Sequence, residues 1–470
     1  MFTFLVRPIG CLDDPGAGDG FRGRVWRMVR PLHGCIEGKR ALIQALRQEF
    51  NERFTAEAYA ALLRLAEAGS QTEIQFRLAE TPVFVPSALL EKMATAGAEM
   101  TLALMERAEY LRAAREAIPA GYCVAGETRH PNFLTADFAL VETGAGEPEP
   151  RALEPRLVEL QAFPSLYGFQ TVLCEAYRRA FRLPEDLGIF LSGLTEDEYW
   201  RLLERTVLGG DAPENVVLAE VDPMHQKTLP DFLVTSRRLG IPVVNIAEIE
   251  AEGDRLLYRD GRGRRVPIHR IYNRAIADEL IAKGIQLRFD WTQPLDVEWA
   301  GHPNWYFLIS KFSVPWLAQD GGRWPWVPPS VFLDAFLEGD GRRRLEQAGV
   351  ALPKAGGGET VYGELILKPL FSFAGKGIVF EPTQALLESI PAAERGGYLL
   401  QQRMRFVPTV ETPCGPTQAE FRILYLWPDG GELTSALSLV RLGRGKMMGV
   451  DHNRNQEWVG ASAAFHAKQR

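Results

Sequence analysis

One short run limits the fold more than any other. Val216-Val-Leu-Ala-Glu220 has the apolar, β-branched character of a strand. Leu229 to Leu239 repeats at helical spacing, and Gly240-Ile-Pro-Val-Val-Asn245 returns to strand. Strand, helix and strand in so few residues predict a βαβ unit, whose two strands lie parallel in one sheet. A helix over 276–283, stopped by Gly284, continues the pattern. The fold class is therefore α/β, in the broad sense that admits α+β parts.

Around this unit the character of the chain changes. Residues 1–120 form a helical region, rich in Ala, Leu, Glu and Arg after Glu37. Thr55 is placed to cap one helix, and a long helix is expected from Pro86 to Pro119. Residues 121–214 hold two strands, Asp137 to Val141 and Arg156 to Gln161, joined by the turn-rich stretch Gly144 to Pro150, followed by connecting helices. Residues 215–300 are the α/β unit. Residues 301–470 carry the strands Leu365 to Pro369, Ile378 to Phe380, Tyr398 to Gln402, Glu420 to Leu426 and Ala436 to Arg441. No fixed-period repeat is present.

Composition excludes several classes. With 470 residues, 46% hydrophobic and 24% charged, the chain can bury a core, so wholesale disorder is ruled out. A net charge of −7 argues against a general nucleic-acid binder. The five cysteines, Cys11, Cys35, Cys123, Cys174 and Cys414, include no C-x-x-C pair and suit a reducing compartment as buried structural residues. The opening stretch is broken by Arg7 and Pro8, unlike a signal peptide, and no apolar run reaches membrane-spanning length. The expectation is a cytoplasmic protein, without a nucleic-acid or membrane partner, with homo-oligomerisation open.

Three constellations carry chemistry. Lys368 ends a strand and is followed by the loop Phe371-Ser372-Phe-Ala-Gly375-Lys376-Gly377 before the next strand. Glycines let backbone N–H groups approach a ligand, and with lysine they suit a phosphate. The flanking strands and the sequence itself exclude a Walker A loop. A plain Gly-rich hairpin is the simpler alternative. Second, Glu159 and Gln161 alternate onto one face of a strand, with Asp137 across the hairpin, an oxygen set suited to Mg²⁺. A solvated hairpin face is the alternative there. Third, Arg422, Arg441 and the stretch Asp451-His-Asn453-Arg-Asn455 combine phosphate-binding guanidiniums with amides, though taken singly surface arginines in salt bridges are the simpler alternative.

Their order changes the weighting. Lys311, Lys368-Pro with the glycine loop, Gln401-Gln402, Glu420-x-Arg422, the Arg441 strand and the Asn stretch with Gly460 together resemble the ATP-grasp superfamily over residues 302–470. The piece that would follow at the end instead resembles Asp137 with Leu157-Val-Glu159-Leu-Gln161-Ala-Phe-Pro-Ser165, early in the chain. The arrangement looks like circularly permuted ATP-grasp proteins, a group that includes glutathionylspermidine-synthetase-like ligases. Residues 215–300 then look like the substrate-side domain.

The resemblance implies ATP and Mg²⁺ as cofactors. Lys311, Lys368, Ser372, Gly375, Lys376 and Gly377 would meet phosphates, Gln401 and Gln402 the adenine, and Arg422 and Arg441 the transferring phosphoryl group. Asp137, Glu159, Gln161 and one of Asn453 or Asn455 would surround the metal. Gln161 stands where the family usually has Asn. The implied activity is a carboxylate–amine or carboxylate–thiol ligase acting through an acylphosphate on a small molecule or peptide. A non-catalytic nucleotide-binding scaffold is the alternative, and a small-molecule kinase a weaker one. For substrate, the strand-end residues Asp222, His225, Lys227 and Thr228 and the cluster Arg270, Asn273 and Arg274 are candidates, the latter able to hold a carboxylate.

Overall fold

A computed structural model describes residues 36–142, 153–354, 359–371, 375–446, 448 and 455–468. Ser372, Asn453, Cys11, Cys35 and the turn at 144–150 lie outside the described residues.

The chain begins with α1 (Ile36–Arg53) and α2 (Ala56–Ser70). Thr55 does cap α2, its side chain accepting from the Ala58 amide. After β1 (Val83–Phe84) the expected long helix is two, α3 (Ser87–Met105) and α4 (Ala108–Glu116), separated at Glu106 and Arg107, where Arg107 turns extended. The hairpin strands are β2 (Phe133–Glu142) and β3 (Leu153–Gln161), followed by α5 (Tyr167–Phe181), β4 (Leu187–Gly188) and α6 (Glu196–Leu208). The α/β unit comprises β5 (Val216–Glu220), α7 (Leu229–Leu239), β6 (Val243–Asn245), the small strands β7 (Glu250–Glu252), β8 (Arg255–Arg259) and β9 (Arg265–Ile268), then β10 (Arg270–Asn273), α8 (Ala277–Lys283) and β11 (Glu298–Ala300).

The remainder holds α9 (Asn304–Leu308), α10 (Ser313–Ala318), β12 (Ser330–Phe332), α11 (Leu333–Leu337), α12 (Asp340–Gln347), β13 (Leu365–Pro369), β14 (Val379–Phe380), α13 (Gln384–Ser389) and β15 (Tyr398–Gln402). It closes with β16 (Pro408–Val410), β17 (Thr417–Leu426), β18 (Thr434–Gly443) and β19 (Gly460–Ala467).

Three sheets position the site. The βαβ expectation holds: β5 and β6 pair in parallel, in a four-stranded sheet of order β11-β10-β5-β6. A second, antiparallel sheet runs β12-β15-β13-β14. The largest has the order β1-β19-β18-β17-β2-β3, so the early hairpin completes a sheet otherwise built mainly from the end of the chain. There β2 and β17 pair antiparallel from Glu420 opposite Ala139 to Leu426 opposite Phe133.

Alternation along β17 sorts its side chains. Phe421 and Ile423 enter an apolar layer with Ala136, Phe138 and Val440 beneath α3. Gly97 permits that packing: a Cβ there would stand 2.8 Å from Ala136 Cβ and strike the Tyr425 hydroxyl. On the opposite face Leu424 and Leu426 pack with Tyr167 and Phe169 of α5, while Glu420 and Arg422 carry the same face onward as charge. Of the described cysteines, Cys174 is buried as expected, whereas Cys123 and Cys414 are exposed.

Candidate functional site

The charged end of that face is a closed network. Register sets Arg422 opposite Asp137, Asp137 opposite Glu159, and Glu420 opposite Arg441, and directly opposed residues share a face. A bulge after Asp137 lets Glu159 keep this face while Leu157 turns to the apolar layer with Phe138. Arg422 Nε donates to Asp137 Oδ1 at 2.6 Å and Nη2 donates to Oδ2 at 2.7 Å. Arg441 donates to the same Oδ2 and also meets Glu420 Oε1 at 2.5 Å. Burial alone would raise the Asp137 pKa, but Arg422 and then Arg441 outweigh it and hold the carboxyl below its ordinary range. For Glu420 burial wins over Arg441, and the carboxyls of Asp137 and Glu159 add to the rise.

Two lysines reach this network from other elements. Lys311, between α9 and α10, places Nζ 3.7 Å from Glu159 Oε2, and Arg422 Nη2 stands 3.7 Å from Glu159 Oε1. Lys368 on β13 is 6% exposed and donates to Gln401 Oε1 of β15 at 2.6 Å, a diagonal cross-strand pair. Burial pushes its pKa down to about 8; Glu159 and Glu420 oppose that and Lys311 reinforces it. Hairpin and late segment therefore meet in one cluster.

What remains unsatisfied there is informative. Gln401 Nε2 and Arg441 Nε are buried without a hydrogen-bond partner. Both are N–H donors, so the spare capacity of the cluster suits acceptor oxygens. The lysines and these donors fit a nucleotide polyphosphate. The glycine loop agrees locally: Gly375 and Gly377 have φ of 73° and 78°, and a Cβ on Gly377 would lie 2.8 Å from Pro369 Cγ. Lys376 beside them is exposed, and Gln402 is half-buried, its backbone N–H donating to Pro329 O at 2.8 Å.

Of the residues expected around magnesium, Asp137 and Glu159 share the cluster, while Asn453 lies outside the described residues. Asp137 has both oxygens on guanidiniums, Gln161 stands half-buried opposite Thr135, and Asn455 is exposed. Among the described residues no group of three or more His, Cys, Asp or Glu could hold a metal ion. Asp137, Glu159 and Glu420 each face a cationic side chain.

The substrate-side candidates divide in two. His225 and Asp222 pair at 2.8 Å on an exposed loop, with Lys227 exposed and Thr228 half-buried beside them. The second cluster is buried and largely ion-paired. Arg270 is 1% exposed and tied to Glu298, to Asp429 at 2.5 Å and to the Val207 carbonyl at 3.0 Å. Arg274 is ion-paired to Asp231 at 2.5 Å, and Asp231 also accepts from the amides of Gly168 and Phe169. Asn273 is buried and accepts from the Ala275 amide at 3.2 Å. Arg270 and Arg274 fasten the parallel sheet to α6, α7 and the turn after β17, and through Asp231 to α5.

Glu420, quoted in the sequence only as part of the Glu-x-Arg motif, lies opposite Arg441. One acidic group went unmarked. Glu220, at the carboxyl end of β5, is 5% exposed and accepts from the Val221 amide at 2.7 Å. Burial pushes its pKa up to about 8 against the pull of Arg274. Its position at a strand end gave no signal of burial.

No protein-family model matches the chain, and no curated protein matches it. Among solved structures it is similar to a glutathione synthetase-like effector from Globodera pallida in its apo form. The TM-score is 0.49 at 12% identity, over 90% of this chain and 97% of that one. A likeness this distant identifies neither fold family nor activity. The fold is a mixed α/β assembly of several sheets, and no described helix is long and apolar enough to cross a membrane.

Proposed function

We propose that the protein is an ATP-dependent ligase of circularly permuted ATP-grasp architecture, joining a carboxylate to an amine or thiol. One observation carries this reading: Glu159 of the early hairpin shares a cluster with Lys311 and Lys368 of the late segment. Lys311 and Lys368 bind phosphate oxygens. Arg422 and Arg441 hold positive charge beside the phosphoryl group as it moves to the substrate carboxylate. ADP leaves, the amine or thiol attacks the activated acyl carbon, and phosphate departs. The chain supplies positioning and charge; no nucleophilic side chain is required.

Asp137 favours a second reading. Its two guanidinium partners suit a protein that binds nucleotide without turnover. Purified protein incubated with Mg-ATP and pooled carboxylic acids, amines and thiols separates the readings. ADP and phosphate release that requires both a carboxylate and a nucleophile supports the ligase. Nucleotide binding without release supports the scaffold, and a phosphorylated product without free phosphate supports a kinase.

A further inference from the structure

The cluster contains an unequal contest for its carboxylates. Both oxygens of Asp137 are engaged, and Oδ2 serves two guanidiniums at once. Glu420 Oε1 is on Arg441, and Glu159 has Lys311 3.7 Å from one oxygen and Arg422 3.7 Å from the other. Lys368 is close enough for Glu159 and Glu420 to act on its charge. A divalent cation entering here would displace a buried guanidinium or stand among four cationic side chains. Magnesium demands near-octahedral oxygen ligands and dehydrates reluctantly, so it gains little from carboxylates already neutralised. Removing a partner from a buried ion pair is costly in itself.

The unsatisfied atoms lead the same way. A metal needs lone pairs, whereas Gln401 Nε2 and Arg441 Nε offer hydrogens. The side chains number four cations, Lys311, Lys368, Arg422 and Arg441, against three carboxyls, Asp137, Glu159 and Glu420. We propose that this cluster holds a nucleoside triphosphate through its own side-chain N–H donors, with Asp137 as the internal counter-ion of Arg422 and Arg441 and not a metal ligand. The inference rests on the nucleotide reading above and adds that the binding step is independent of divalent metal.

Calorimetry on the full chain tests it, with ATP as titrant in excess MgCl₂ and again in EDTA. The expected result is a dissociation constant that changes less than threefold between the two. A loss of threefold or more in EDTA overturns the inference and leaves nucleotide binding standing. Absence of binding in both buffers overturns the nucleotide reading itself, and the inference with it. Manganese alone, followed by electron paramagnetic resonance, provides an independent readout. The free-ion signal is expected to be undiminished by stoichiometric protein, and its loss would assign a metal site to these carboxyls.

Discussion

Asp137 and Arg422 meet at two points, 2.6 and 2.7 Å apart, although 285 residues separate them in the chain. Both are buried, and Arg441 joins from the next strand. This contact makes the early hairpin and the late strands one structural unit.

Asp137→Asn leaves two guanidiniums facing an amide. The expected cost is about 3–5 kcal/mol in chemical denaturation, as for other buried pairs that lose one partner. The sign with pH follows from the depressed carboxyl. Its stabilisation is present above the ordinary aspartate pKa of 3.8 and is lost as pH falls through the lower folded value. A loss under about 1 kcal/mol would remove Asp137 from this role.

Lys368 should make nucleotide affinity fall as pH rises. Its pKa is lowered from 10.5 to about 8, first by burial, so the folded state is charged only below that value. Charge on the buried ammonium costs stability, fully below about 8 and not at all above 10.5. ATP titrations across this range should show constant affinity on the acid side and a decline beyond it. Lys368→Arg, with a guanidinium charged throughout, should abolish the decline. A level profile in the wild type would refute the assignment.

Glu220 acts in the opposite direction. Its pKa is raised from 4.5 to about 8, so the folded state prefers the neutral acid and stability declines as pH rises between those values. Glu220→Gln keeps the shape without the charge. It should be more stable than the wild type at pH 8, by up to about 4 kcal/mol, with no difference near pH 4. Urea melts at both pH values measure this; equal stabilities at pH 8 would rule it out.

Gly97→Val tests how α3 lies on the sheet. Its side chain would drive into Ala136 and the Tyr425 hydroxyl, which donates to the Ala94 carbonyl at 2.7 Å. Overpacking of this kind costs about 1–3 kcal/mol. The thermal midpoint should drop by several degrees, whereas Gly261→Ala, with open space around it and no positive φ, should leave it nearly unchanged. An unchanged midpoint for Gly97→Val would contradict the packing.

Local pattern was the most legible part of this chain. The strands at 216–220 and 398–402 and the helix at 229–239 follow from periodicity and caps alone. The alternation of Glu159 and Gln161, with Asp137 across the hairpin, foreshadowed the charged face. Sheet order was less accessible, because nothing local to β2 says that its second neighbour lies at β17. The break between α3 and α4 was hidden because the sequence around Arg107 keeps helical composition while the backbone there turns extended. The burial and pairing of Arg270 and Arg274 were hidden for a related reason. An arginine near a strand end has the same sequence signature whether it faces water or a distant carboxylate, and the partners Asp429 and Asp231 lie 159 and 43 residues away.

The strand order of the largest sheet has a consequence for biosynthesis. On the ribosome, β2 emerges with one edge unmatched, and the segment that will cover it is translated only 285 residues later, counted between Asp137 and Arg422. At about 5–20 residues per second that interval is about 15–60 s. Throughout it the nascent hairpin presents Phe133, Leu134 and Phe138 with no late strand beside them, an open strand edge of the kind that templates pairing with other chains.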